Sequence, residues 1–303
     1  MSRKTAATAT LAALIAVLAC HICQAKTATP KNYVSEETRN IVGGRKVVIL
    51  IPQTEIMPGI AAWELGVARF DDALEDLIND AKTGRGEKFI EPLRAALRPD
   101  DFNARIFSAL KRVVERCSWM HAQDIELTRD GSTKNIERLL NESNTRQMLV
   151  LAVTYATDFR YDSIIVSVEA SLLVRQIPRG ERGEARLRKD YIPYFQAFRS
   201  IVGLPNPDHS EREADLARWS ADNASQARAA LDFGIQQLPP LLGRNLDATQ
   251  QETQDWRGRN ERKTVERAGM QGWVVERRDD VTVFVEARGG ALNLLRTLPD
   301  RTH

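Results

Sequence analysis

The sequence predicts an α/β or α+β fold: a mixed sheet with a long antiparallel meander, flanking helices and a short C-terminal antiparallel β element. Three observations predict it. Val47-Val48-Ile49-Leu50-Ile51 is a continuous β-rich run, the pattern of a strand buried on both faces. Met148 to Tyr155 and Ser163 to Val174 are two long β-type segments around the polar turn Thr157–Asp162, which reads as an antiparallel pair. Between these regions, apolar residues recur every three or four positions, as amphipathic helices require.

The chain begins with an export-type leader. Arg3 and Lys4 form a basic n-region, and Leu11 to Ala19 is an uncharged apolar stretch. Cys20 to Ala25 then supplies a cleavage region, with small residues at Cys23 and Ala25. Residues 1–25 are therefore expected to be a signal peptide. Val17-Leu18-Ala19-Cys20 resembles a bacterial lipobox, which implies lipidation of Cys20 and membrane attachment through it. Residues 26–44 are polar and read as a flexible tether.

An α/β domain is expected over 45–246. Pro58 can open a helix carrying Trp63, Val67, Phe70, Leu74, Leu77 and Ile78 on one face. A shorter helix is expected over 88–97. A third starts at Pro99-Asp100-Asp101 and carries Phe102, Ile106, Leu110, Val113 and Cys117. After the strand pair, residues 175–189 form a charged loop. Tyr191 to Val202 reads as the third strand of the meander, with a helix as the alternative because Pro193 lies near its start. A long helical segment follows from Ser210 to Leu238, and Pro239-Pro240 is expected to kink or break it. Residues 247–268 read as a polar linker or exposed helix. Residues 269–303 supply the C-terminal element, three short strands with turns at Asp279-Asp280 and Gly289-Gly290.

Charge narrows the function. The chain has 43 Lys+Arg against 41 Asp+Glu, and loss of Arg3 and Lys4 with the leader makes the mature body formally neutral. That is no footprint for nucleic acid, which needs a basic stripe or domain. The known phosphate cradles, G-x-G-x-x-G and G-x-x-x-x-G-K-[ST], are missing from the sequence, as are G-x-S-x-G and H-E-x-x-H. Ile41-Val42-Gly43-Gly44 matches the activated N-terminus of trypsin-like proteases, yet the His and Ser motifs of that family are missing. No cofactor and no metal site is expected, since His121, His209 and His303 are widely spaced.

The remaining candidates are weak by motif. His121-x-x-Asp124 would share one face of a helix. Glu55 lies just past the carboxyl end of the first strand, where open α/β sheets tend to place ligands. Asp71, Asp72, Glu75, Asp76 and Asp80 read as a solvated helix face. Arg179, Arg182, Arg186 and Arg188, with Arg175 and Lys189, could meet an anionic membrane or glycan. Cys117 reads as a small buried hydrophobe. These readings favour an exported bacterial envelope protein, periplasmic or lipid-anchored, that binds or scaffolds an envelope protein or glycan. The alternative is a hydrolase of cell-envelope material using Glu55 and Asp124 as a dispersed acid/base pair.

Overall fold

The computed structural model describes residues 31–59, 86–175, 192–205, 207, 212–258, 264–267, 270–287 and 290–299. The expected helix with Trp63 to Ile78 and its acidic cluster lies outside them. So do residues 1–25, read above as a leader, with Cys20, and Arg179, Arg182, Arg186 and Arg188.

The fold is mixed α/β, built on one nine-stranded sheet. β1 (Arg45–Leu50) pairs in parallel with β2 (Ala122–Thr128) on one side and β3 (Gln147–Thr157) on the other. β4 (Ser163–Val174) and β5 (Tyr194–Gly203) continue from β3 as the antiparallel meander. β6 (Thr264–Arg267), β7 (Met270–Arg278), β8 (Val281–Glu286) and β9 (Leu292–Thr297) form antiparallel neighbours in turn. β9 then lies parallel to β5, which gives the spatial order β2-β1-β3-β4-β5-β9-β8-β7-β6. The C-terminal strands read from the sequence are present, and they extend the main sheet.

Parallel neighbours need crossover connections. α1 (Glu36–Arg39) precedes β1; α2 (Gly86–Leu97) and α3 (Phe102–Arg116) lie between β1 and β2, and α4 (Thr133–Glu142) between β2 and β3. Local sequence accounts for the helix starts. Asp101 caps α3 by accepting from the Ala104 amide at 2.9 Å, and Ser132 caps α4 through the Asn135 amide at 3.3 Å. α5 (Arg212–Asp247) returns over the sheet, followed by α6 (Gln250–Gly258).

The two sheet faces carry different cores. Val47, Ile49, Leu149, Leu151, Val153 and Val168 pack with Ile90 and Leu93 of α2, Ile106 and Leu110 of α3, and Leu231 and Leu238 of α5. On the opposite face Val48, Met148, Val150 and Leu173 pack with Ile136, Leu139 and Leu140 of α4. The strongly apolar β1 and β3 follow from this double cover.

Several expectations need correction. Residues 31–44 are not a free tether. Lys31 bridges to Tyr194, Val34 is buried, and Arg39 donates to the carbonyls of Leu246, Asp247 and Ala248 at the end of α5. Arg45, only 1% exposed, donates to Gln147 Oε1, to the Trp119 carbonyl and to the Arg39 carbonyl. Polar composition concealed this packing because the contacts run through arginine to backbone. The break in α5 is not at Pro239-Pro240, which sits inside the helix with apolar neighbours Leu238 and Leu241 buried. It falls at Ala221–Ala224, where Asp222, Asn223 and Ala224 take left-handed dihedrals. Asp and Asn tolerate that region through local hydrogen bonding. Finally, His121 and Asp124 are not on a helix: α3 ends at Arg116, and Asp124 lies within β2.

Candidate functional site

The sheet face that α4 covers changes character towards the middle of the sheet. Alternation in β4 puts Ser167, Glu169 and Ser171 there. Their partners are Thr154, Ala152 and Val150 on β3, and Arg199, Ala197 and Phe195 on β5. Arg199 in turn faces Asn293 of β9. A polar row, Thr154–Ser167–Arg199–Asn293, therefore crosses four strands, and all four residues are buried. Small neighbours, Ala152 and Ala197, flank Glu169 and leave room for its longer side chain.

Charge in this row is arranged with economy. Arg199 Nη1 donates to Glu286 Oε2 at 2.7 Å, with both side chains almost fully buried. Glu169 has no such bond; its Oε1 lacks a hydrogen-bond partner, as do Ser167 Oγ and Asn293 Oδ1. Burial pushes the Glu169 carboxyl up to about 8, and the Arg199 charge only partly offsets this. Burial thus favours the uncharged form of Glu169 at neutral pH, while Glu286 forms the ion pair with Arg199.

A second carboxyl pair closes the turn between β3 and β4. Asp158 is fully buried, and its acidity is weakened first by burial and then by the charge of Asp162, with which it shares a hydrogen bond. Asp158 Oδ1 accepts from the Ser163 amide at 3.2 Å, and Asp162 Oδ1 accepts from the Ser163 hydroxyl at 2.6 Å. Asp158 Oδ2 is buried without a hydrogen-bond partner.

The residues singled out by sequence do not converge. Glu55 does lie beyond the end of β1, but Arg98 donates to its Oε1 and Arg94 Nε stands 3.8 Å from its Oε2. Asp124 faces Lys46 at the start of β1, 3.2 Å from Nζ. The four residue steps from Lys46 to Leu50 alone span roughly 13 Å, so Glu55 and Asp124 sit at opposite ends of the parallel strands. His121 is exposed with φ of 44°, a backbone turn into β2. Cys117 is buried as expected; its thiol donates to Asp247 Oδ1, and burial and that carboxylate push it up to about 12. A cavity of about 380 Å³ lies near the junction of α5 and α6, lined by Arg244, Asp247, Glu252, Asp255 and Trp256 among others. Three of its polar groups are internally engaged, since Arg244 stacks on Trp256, Glu252 caps Thr249 and Asp255 accepts from Gln251, whereas Trp256 Nε1 is buried without a hydrogen-bond partner.

No family model and no curated protein matches this chain. The reading of the site thus rests on its own residues. Among the described residues no group of three His, Cys, Asp or Glu is placed to hold a metal ion, and no helix is long and apolar enough to cross a membrane. Sequence reasoning missed Arg199, Glu286 and Asn293, because the pairing of β5 with β9 joins segments about ninety residues apart. Glu169 did leave a signal: it is the one charged residue within the strand Ser163–Val174.

Proposed function

We propose that the chain is an exported bacterial envelope protein, periplasmic or lipid-anchored through Cys20, that binds or scaffolds a partner and does not turn over a substrate. The observation that carries this reading is the separation of Glu55 from Asp124. A glycoside hydrolase of the usual kind needs two such groups flanking one bond, within roughly 10 Å of each other. Here each carboxylate is instead paired with cations at its own end of the strands, Arg94 and Arg98 for Glu55 and Lys46, which Glu126 shares, for Asp124. The export half of the proposal rests on the leader, and the contact with an anionic glycan or membrane on Arg179, Arg182, Arg186 and Arg188.

The test has two arms. Fractionation and N-terminal sequencing should find the protein in the envelope, cut within residues 19–26, and Cys20→Ala should release it from the membrane if the lipid route operates. The purified mature protein, incubated with cell-wall material, should bind without releasing soluble fragments. An intact Met1 on the mature protein sinks the export reading. Fragment release that disappears in Glu55→Gln or Asp124→Asn sinks the binding reading in favour of the hydrolase.

A further inference from the structure

β2 is the terminal strand of the sheet among the described residues, paired only with β1. Its seven residues, Ala-Gln-Asp-Ile-Glu-Leu-Thr, contain neither proline nor lysine, two common guards of an open edge. The direction of its main-chain groups follows from the ladder. The Ile51 amide donates to the Thr128 carbonyl at 3.0 Å, so Thr128, Glu126 and Asp124 turn their main-chain groups towards β1. Gln123, Ile125 and Leu127 turn theirs outward. A further strand can therefore add along this edge without disturbing β1.

The side chains of β2 specify what kind of strand fits. Asp124 and Glu126 share one face and one cation, Lys46, whose Nζ is 3.2 Å from Asp124 and 2.6 Å from Glu126. Lys46 is buried against the sheet, while the two acids remain 61% and 36% exposed, so the rim carries an excess negative charge. On the other face Ile125 packs on the core and Leu127 is 46% exposed, an uncovered aliphatic surface beside the open main chain. A second copy of β2 is a poor occupant. Antiparallel self-pairing centred on Ile125 sets Asp124 against Glu126 twice, and like charges directly opposite destabilise a strand pair.

We propose that β2 is a docking edge that takes an extended segment of a partner protein by strand addition, the segment alternating basic with aliphatic residues. Main-chain bonds to Ile125 and Leu127 supply affinity. Basic side chains over Asp124 and Glu126, and an aliphatic one against Leu127, supply selectivity. The inference stands on the edge geometry and does not depend on export.

The test uses the whole mature chain and three fluorescent heptapeptides, followed by anisotropy. One alternates Lys with Val, one alternates Glu with Val, and one has the composition of the first with its lysines and valines in two blocks. The alternating Lys/Val peptide should bind at least about tenfold more tightly than either of the others. Leu127→Pro removes an outward amide without touching the ladder to β1, and should abolish that advantage. Should this variant not fold, hydrogen exchange on the unaltered protein decides: the Ile125 and Leu127 amides should slow when the peptide is added. Equal binding of the blocked peptide, binding indifferent to Leu127→Pro in a folded variant, or unchanged exchange at both amides would overturn the proposal.

Discussion

Arg199 on β5 reaches over β9 to pair with Glu286 at the end of β8, at 2.7 Å and out of contact with solvent. Two strand spacings separate their backbones, about 9.5 Å, so the long guanidinium arm is what makes the bond possible. The pair ties the C-terminal strands to the meander across the one parallel seam, β5–β9, that joins these two parts of the sheet. Its interior position makes it conditional. Removing either partner takes away the other's ion pair within a buried strip that also holds Ser167, Asn293 and Glu169.

Glu286→Ala should therefore destabilise the protein by about 3–5 kcal/mol, the usual cost of removing one partner of a buried ion pair. Replacing both partners, Arg199→Met with Glu286→Leu, should recover most of that loss, because it removes the desolvation cost along with the attraction. Urea denaturation midpoints of the single and double variants check this. A single variant as stable as the parent would mean that the pair is not closed in solution.

The pH dependence has a definite sign. Burial raises Glu169 from 4.5 to about 8, so the folded state keeps a proton that the unfolded chain gives up. Stability then falls as pH rises through the unfolded value of 4.5 towards about 8, and levels off above it. The total effect is on the order of a few kcal/mol. Glu169→Gln copies the neutral acid and should flatten this part of the curve, leaving it more stable than the parent at pH 8 and similar at pH 4. Asp158 is shifted in the same direction, so a smaller slope should persist and disappear with Asp158→Asn. Stability measured at closely spaced pH values tests both steps.

The parts of this fold that local pattern encodes were legible. β3 and β4 show in their β-branched runs, and α3 in the Asp101 cap and the stripe through Ile106 and Leu110. β2 was not legible, because an edge strand with two acids and only partly buried apolar residues has no clear alternation of burial. α4 could have been found: Ser132 caps a segment whose Ile136, Leu139 and Leu140 fall on one face. The buried polar row could not. Its members come from β3, β4, β5 and β9, its ion-pair partner from β8, and nothing near Arg199 in the chain announces Glu286 or Asn293. The sequence candidates failed for the converse reason. Glu55 and Asp124 are chemically plausible alone, and only strand register shows that they lie at opposite ends.

Val150 tests the double cover of β3. It is completely buried, facing Ile136, Leu139 and Leu140 of α4 together with Met148 and Leu173. Val150→Asp places a carboxylate among these side chains at a cost of several kcal/mol, comparable to the whole stability of a typical domain, ~5–15 kcal/mol. The variant should accumulate poorly or melt far below the parent. A denaturation midpoint within error of the parent would mean that α4 does not cover this face.

A close approach of α5 to the sheet gives the last prediction. Gly234 is buried, and a Cβ built on it would lie 2.7 Å from Val166 Cγ2, 2.9 Å from Val166 Cβ and 3.4 Å from Ser200 Cβ. In an open helix Gly→Ala gains roughly 0.5–1 kcal/mol from the restricted unfolded chain. Here the new methyl group must push α5 off β4 and β5 or force Val166 from its rotamer, a cost of about 1–3 kcal/mol. Packing should outweigh propensity, so Gly234→Ala is expected to lower the melting temperature. Val166→Ala alone should also destabilise, by leaving a cavity. Combined, the helix gains one carbon where the strand loses two, which relieves the clash and fills part of the cavity, and the double variant should be more stable than the sum of the two losses allows. A double-mutant cycle from denaturation curves gives that coupling directly. Strict additivity would show that α5 does not rest on β4 at this point.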